Sequence, residues 1–151
     1  MTIMEQLTSL AFERNDLLAY LEQMNDIVLD EVDFGVIGFS RDGIVCRYNA
    51  YESRFTGLSR ERVLGRSFFT EIAQCMNNYL VAQRFEDSGD AGVALDETLD
   101  YVLSWRMRPT KVELRMLFSP EYPLRYICIR HQNTLPEGSD CTGNWCGPGD
   151  L

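Results

Sequence analysis

One histidine, His131, and one lysine, Lys111, are all that the sequence holds of those two residue types. A zinc site needs three or four protein ligands, and a haem iron held by histidine needs more context than one isolated imidazole. No metal centre is expected, although Cys141 and Cys146 lie ten and fifteen residues beyond His131. Basic charge is also scarce: 14 Lys and Arg face 23 Asp and Glu, giving a net charge of -9 and a pI near 4.6. Nucleic acids and anionic membranes are recognised by clustered basic charge, so neither is an expected partner. A long apolar run is missing as well. The N-terminal stretch MTIMEQLTSLAFERNDLL is broken by Glu5, Glu13, Arg14 and Asp16, which predicts neither a signal peptide nor a membrane span. Five cysteines, an odd number without framework spacing, fit reduced thiols and a cytoplasmic protein. The single lysine carries no functional reading.

What is present is enough for one domain. The chain has 151 residues and is 45% hydrophobic, which suffices for one core and not for two. Leu7, Leu10, Ala11, Leu17, Leu18, Leu21 and Met24 fall at helical spacing, so residues 1–29 read as one or two amphipathic helices forming a cap. VDFGVIGFS and IVCRYN flank Asp42-Gly43, a hairpin signal between two strands. Short helices follow, with Ser59 as the expected N-cap of one. After a polar loop containing SGDAG come three strand-like runs, ETLDYVLSWRM, TKVELRMLF and LRYICIRHQ. In the second, Val112, Leu114, Met116 and Phe118 alternate with Lys111, Glu113 and Arg115, the pattern of a half-buried antiparallel strand. Residues 30–132 form the expected core domain, of α+β class. Residues 133–151, rich in Gly, Pro and Ser, read as a flexible C-terminal tail.

The chemistry concentrates between Tyr48 and Cys75. Tyr48, Glu52 and Thr56 recur every four residues, so a helix opened at Asn49 would set their hydroxyl and carboxyl groups on one face. Such a stripe faces either water or a buried acceptor. The Phe68-Phe69 pair, followed by Ile72 and Ala73, predicts that the segment ending in Cys75 turns inward. An inward cysteine near an inward acid is a candidate covalent anchor; equally, it is one more buried core cysteine.

The stretches MNDIVLDEVDFGVIGF, DGIVCRYNAYE with its following FTG, VLGRSFFTEIAQC and DYVLSWRMRPTKVEL resemble the photoactive yellow protein family. These are blue-light receptors of PAS fold that carry p-coumaric acid (4-hydroxycinnamic acid) as a cysteine thioester. The resemblance runs from about Leu18 to Arg130. It implies a PAS fold, a five-stranded antiparallel sheet flanked by short helices, with an N-terminal helical cap. It also implies Cys75 as the attachment site, with Tyr48 and a protonated Glu52 donating hydrogen bonds to a phenolate and Thr56 orienting Tyr48. Phe68, Tyr101 and Met107 complete the implied chromophore surroundings. Two positions depart from the family pattern: Gln74 stands where a proline usually precedes the cysteine, and Leu58 where an arginine covers the phenol end. Arg106 and Arg108 are the alternative sources of a guanidinium there.

The function so implied is light sensing without catalytic turnover, reported to a downstream signalling protein that the sequence does not identify, by a monomer or weak homodimer. A PAS module that binds a small ligand or a protein and is insensitive to light is the alternative. An enzyme using Glu52 as base and Cys75 as nucleophile lacks a histidine near either in sequence. The segment AQCMNN does not resemble the cysteine motif of flavin-adduct light sensors.

Overall fold

The computed structural model describes residues 11–105 and 108–131. The tail at 133–151 with Cys141 and Cys146, the first ten residues with Leu7 and Leu10, and Arg106 and Met107 lie outside the described residues. Elements run in the order α1 (Leu17–Gln23), α2 (Asp26–Leu29), β1 (Gly35–Phe39), β2 (Val45–Tyr48), α3 (Ala50–Thr56), α4 (Arg60–Val63), a π-helical turn (Phe68–Ile72), a 3-10 turn (Gln74–Met76), α5 (Ala82–Ala91), β3 (Leu95–Trp105), β4 (Arg108–Phe118) and β5 (Arg125–His131). The strands form one antiparallel sheet of order β2-β1-β5-β4-β3. The β1–β2 hairpin turns at Asp42-Gly43, where Gly43 takes φ +84° and its N–H bonds to the Ser40 carbonyl at 2.9 Å. A side chain is strained at that φ, which is why glycine ends the turn.

Two-residue periodicity divides the sheet into two faces. Ile37, Phe39, Leu114, Met116, Ile127 and Ile129 pack with Val63, Phe68 and Phe85 from the connecting helices. Val36, Leu117, Tyr126 and Cys128 pack on the opposite face against Phe12, Leu17, Leu21, Met24, Val28 and Leu29. Residues 12–29 therefore cover the second face.

Several expectations change. The SGDAG segment does not form a loop: Ser88, Gly89, Asp90 and Ala91 complete α5, because Val81 and Phe85, four residues apart, anchor that helix in the core. Ser59 precedes α4 but makes no side-chain capping bond. Strand β4 is half-buried only where Lys111 and Glu113 face outward. Arg115 is buried under the cap, its guanidinium bidentate on Asp96 at 2.8 Å and donating to the Phe12 carbonyl at 2.7 Å.

Candidate functional site

Strand β2 delivers Tyr48 to the mouth of α3, and Asn49 fixes the junction. Tyr48 thus sits at the end of a strand and not on the helix that carries Glu52 and Thr56. The fully buried Asn49 amide accepts from Val36 N–H (3.0 Å) and Glu52 N–H (3.2 Å) and donates to the Leu29 (3.1 Å) and Phe34 (3.0 Å) carbonyls. One side chain thereby caps α3 and ties it to α2 and β1. Asp30 accepts from Ala50 N–H at 2.8 Å and pairs with Arg60, whose Nε donates to the Tyr48 carbonyl at 2.9 Å. The backbone around Tyr48 is held from both sides.

Glu52 then points off α3 over Gly35. A Cβ built at position 35 would stand 2.0 Å from Glu52 Oε1, so only glycine leaves room for the carboxyl. Glu52 is 3% exposed, and its Oε1 has no hydrogen-bond partner among the described residues. Burial without a compensating charge pushes its pKa up to about 8, so the carboxyl is mostly protonated at neutral pH and is a donor looking for an acceptor. The Tyr48 hydroxyl lies 2.6 Å from Thr56 Oγ1, which also accepts from Leu58 N–H at 3.2 Å. Burial raises the phenol's pKa as well, and Tyr48 stays neutral.

Cys75 arrives from the other side. Ser67 to Met76 leaves α-helical geometry: Ala73 N–H bonds back to the Phe68 carbonyl at 2.7 Å, and a 3-10 turn carries Cys75. Its carbonyl accepts from the Tyr101 hydroxyl at 2.6 Å and the Asn78 amide at 3.1 Å, and that amide also reaches Tyr101 at 2.6 Å. Cys75 is half-buried against the core; Cys46 is exposed, and Cys128 is buried on the cap face with its thiol pKa raised by desolvation.

These groups surround one cavity of about 490 Å³, within the range of small-ligand sites. Of the expected residues, Tyr48, Glu52, Thr56, Phe68 and Cys75 line it; Tyr101 instead supports the Cys75 backbone from β3. Leu58 lines it as well, joined by Ile37, Leu103 and Ile129. A thiol at one wall and two neutral O–H donors at another suit an acyl group bearing an anionic oxygen. Phe55 forms part of the wall, and His131 stacks on its ring at 3.5 Å and on Tyr51 at 5.6 Å. Neither His131 nitrogen has a partner among the described residues, and burial lowers its pKa to about 4.

Sequence reasoning missed Gly35, Asn78 and the Asp30–Arg60 pair. A glycine inside the apolar run FGVIGF is itself a signal of close backbone approach. Nothing in the sequence pairs Asp30 with Arg60.

No protein-family model matches the chain. The photoactive yellow protein of Rhodothalassium salexigens is 34% identical over 105 residues, which covers 70% of this chain and 83% of the relative. Among solved structures, the photoactive yellow protein domain of the sensor histidine kinase Ppr from Rhodospirillum centenum superposes with a TM-score of 0.68 at 35% identity, covering 74% of this chain and 97% of that one. The PAS domain of an HTR-like protein from Haloarcula marismortui shares the fold alone, at a TM-score of 0.52 and 14% identity.

Proposed function

The chain belongs to the photoactive yellow protein family, and from that premise we propose that this PAS-type photoreceptor domain carries p-coumaric acid as a thioester on Cys75 and signals blue light through the Glu52 proton. The observation that carries the proposal is the buried Glu52 carboxyl, whose Oε1 has no partner among the described residues, lining the same cavity as Cys75. When bound, p-coumaric acid supplies a phenolate that absorbs blue light and a double bond that light isomerises.

Cys75 Sγ would hold the acyl group as a thioester, its thiol proton leaving with the activating group of the coumarate. Tyr48 and protonated Glu52 would donate O–H bonds to the anionic oxygen, and such charge-assisted bonds are short and strong. Thr56 orients the Tyr48 hydroxyl. Leu58 closes the pocket by packing, not by charge. In the light Glu52 would give its proton to the oxygen it bonds in the dark, leaving a carboxylate that is buried. Strain from that charge loosens the cap, and the apolar surface it uncovers is read by a downstream signalling protein. The role is sensory, not catalytic, and is carried out in the cytoplasm by a monomer or weak homodimer. Among the described residues no helix is long and apolar enough to cross a membrane.

Reconstitution of the full chain with activated p-coumarate tests the proposal. The product should be yellow and heavier by one coumaroyl group; Cys75→Ala should show neither change, whereas Cys46→Ala, Cys128→Ala and Cys141→Ala should show both. Loading that survives in Cys75→Ala overturns the attachment. A protein that stays colourless after reconstitution favours a small-ligand or protein-binding PAS module.

A further inference from the structure

Arg125 opens β5 with 8% exposure, and no carboxylate among the described residues forms an ion pair with it. Its guanidinium lies over the Phe118 ring at 4.6 Å and against α5, where a Cβ at Gly89 would come within 2.9 Å of Nη2. Burial, and after it the positive charge of Arg41, lower the Arg125 pKa. A desolvated cation facing a second cation is costly unless an anion sits between them.

Space for that anion exists. Arg41 and Arg125 both line a second cavity, of about 570 Å³, bounded by the Asp42-Gly43 turn, the Asn77–Tyr79 segment and α5. Phe39, Phe69 and Phe85 form its apolar wall, and Phe39 stacks on Phe68 of the first cavity at 5.4 Å. The walls of the two cavities thus touch through one pair of stacked rings. Asn78, which lines the second, donates to the carbonyl of Cys75 in the first. Asp42, Glu86 and Asp90 also line the second cavity without pairing with Arg125, so its polar groups of both signs suit a ligand larger than a bare ion.

We propose that this cavity is a second binding site, for a small organic oxyanion held by the guanidinium groups of Arg125 and Arg41. A guanidinium fork matches a carboxylate or a phosphate group by paired N–H donors.

The test is thermal unfolding of the full chain in malonate or inorganic phosphate, against sodium chloride at equal ionic strength. A ligand bound to the folded state alone raises the melting temperature by about 2–5 °C at roughly tenfold excess over its Kd. A larger rise in malonate points to a carboxylate ligand, and a larger rise in phosphate to a phosphate ester. Arg125→Gln should abolish the rise. Should that variant not fold, Arg41→Gln, on the exposed turn, decides: it should weaken the anion's apparent affinity at least about tenfold, the loss of one charge-assisted hydrogen bond. No rise beyond the chloride control in the wild type, a full rise in Arg125→Gln, or undiminished affinity in Arg41→Gln overturns the site.

Discussion

Gly35 and Glu52 meet where β1 passes under α3, so closely that a methyl group on the first would stand 2.0 Å from Oε1 of the second and 3.1 Å from its Cδ. The contact converts a missing side chain in a strand into the room that a buried carboxyl occupies. It also makes Gly35 part of the site.

Gly35→Ala should therefore destabilise the protein by about 1–3 kcal/mol, the usual cost of overpacking a filled core. The same change should cost much less in a Glu52→Ala background, where the nearest remaining Glu52 atom, Cβ, lies at an ordinary 3.5 Å. Urea unfolding of the four proteins in this double-mutant cycle gives the coupling. An equal cost in both backgrounds would locate the strain elsewhere.

The strands and their succession along the chain were legible because their signals are local: alternation in TKVELRMLF, the Asp42-Gly43 turn, apolar runs at β1 and β5. Asn49 was legible as a helix opener for the same reason. Side chains that act across long sequence distances were not. Arg47, Arg115 and Arg130 resemble solvated surface charges in sequence, yet each reaches the cap across 21 to 117 positions. Tyr48 shows the limit of periodicity: its four-residue spacing from Glu52 suggested a shared helix, while the real link is a strand end held against Thr56 at 2.6 Å. The Cys75 segment was readable as inward but not as a π-turn followed by a 3-10 turn, whose bonds from Asn78 and Tyr101 arrive from outside it.

Glu52 gives stability a definite pH slope in the unloaded protein. Its pKa is near 8 folded and 4.5 ordinarily, so between those values the folded state holds a proton that the unfolded state has released. The stabilisation is complete below pH 4.5 and is lost as pH rises through 8, at up to about 1.4 kcal/mol per pH unit. Glu52→Gln should remove that part of the slope. In the coumarate-loaded protein, the dark infrared spectrum should contain a protonated carboxyl C=O band that disappears in Glu52→Gln, and that variant should absorb at longer wavelength. A wild-type spectrum without the band would mean that Glu52 is ionised in the dark.

His131 acts in the opposite direction. Stacked on Phe55 and on Tyr51, with no partner for either nitrogen among the described residues, it has a pKa lowered by burial to about 4 against an ordinary 6.5. A depressed base contributes stability that is present above 6.5 and lost as pH falls through 4. The loss is at most about 3 kcal/mol, and less once its partial solvent access is counted. Because the chain has one histidine, its ring proton resonances can be followed by NMR without ambiguity. A midpoint near 6.5 in the folded protein would contradict the stacked, desolvated ring. His131→Phe should keep the stacking and flatten the fall in stability between pH 6.5 and 4.

The cap is held by more than the packing of Leu17, Leu18, Leu21 and Met24. Arg47 donates to the Leu21 carbonyl at 2.7 Å and the Met24 carbonyl at 2.6 Å, and it also holds the Tyr126 hydroxyl at 2.8 Å. Arg115 holds the Phe12 carbonyl at 2.7 Å, while Arg130 pairs with Glu13 and lies over the Phe12 ring at 4.6 Å. Among the described residues no strand ladder joins the cap to the sheet, so these arginine bonds, the Asn49 bond to the Leu29 carbonyl and the apolar contacts are what opening must break. Ionising a buried carboxylate costs several kcal/mol, comparable with the roughly 5–15 kcal/mol that keeps a domain folded, and local opening at the least secured element relieves it. Amide exchange under continuous blue light should accelerate first in residues up to 29, with Val112 to Phe118 little changed. Arg47→Gln should mimic part of this in the dark, accelerating exchange in Leu17–Gln23 by about tenfold for each charged hydrogen bond lost, at roughly 1.5 kcal/mol apiece. If the cap is equally protected in light and dark, the signal leaves by another surface; if Arg47→Gln exchanges like the wild type, the arginine bonds do not hold the cap closed.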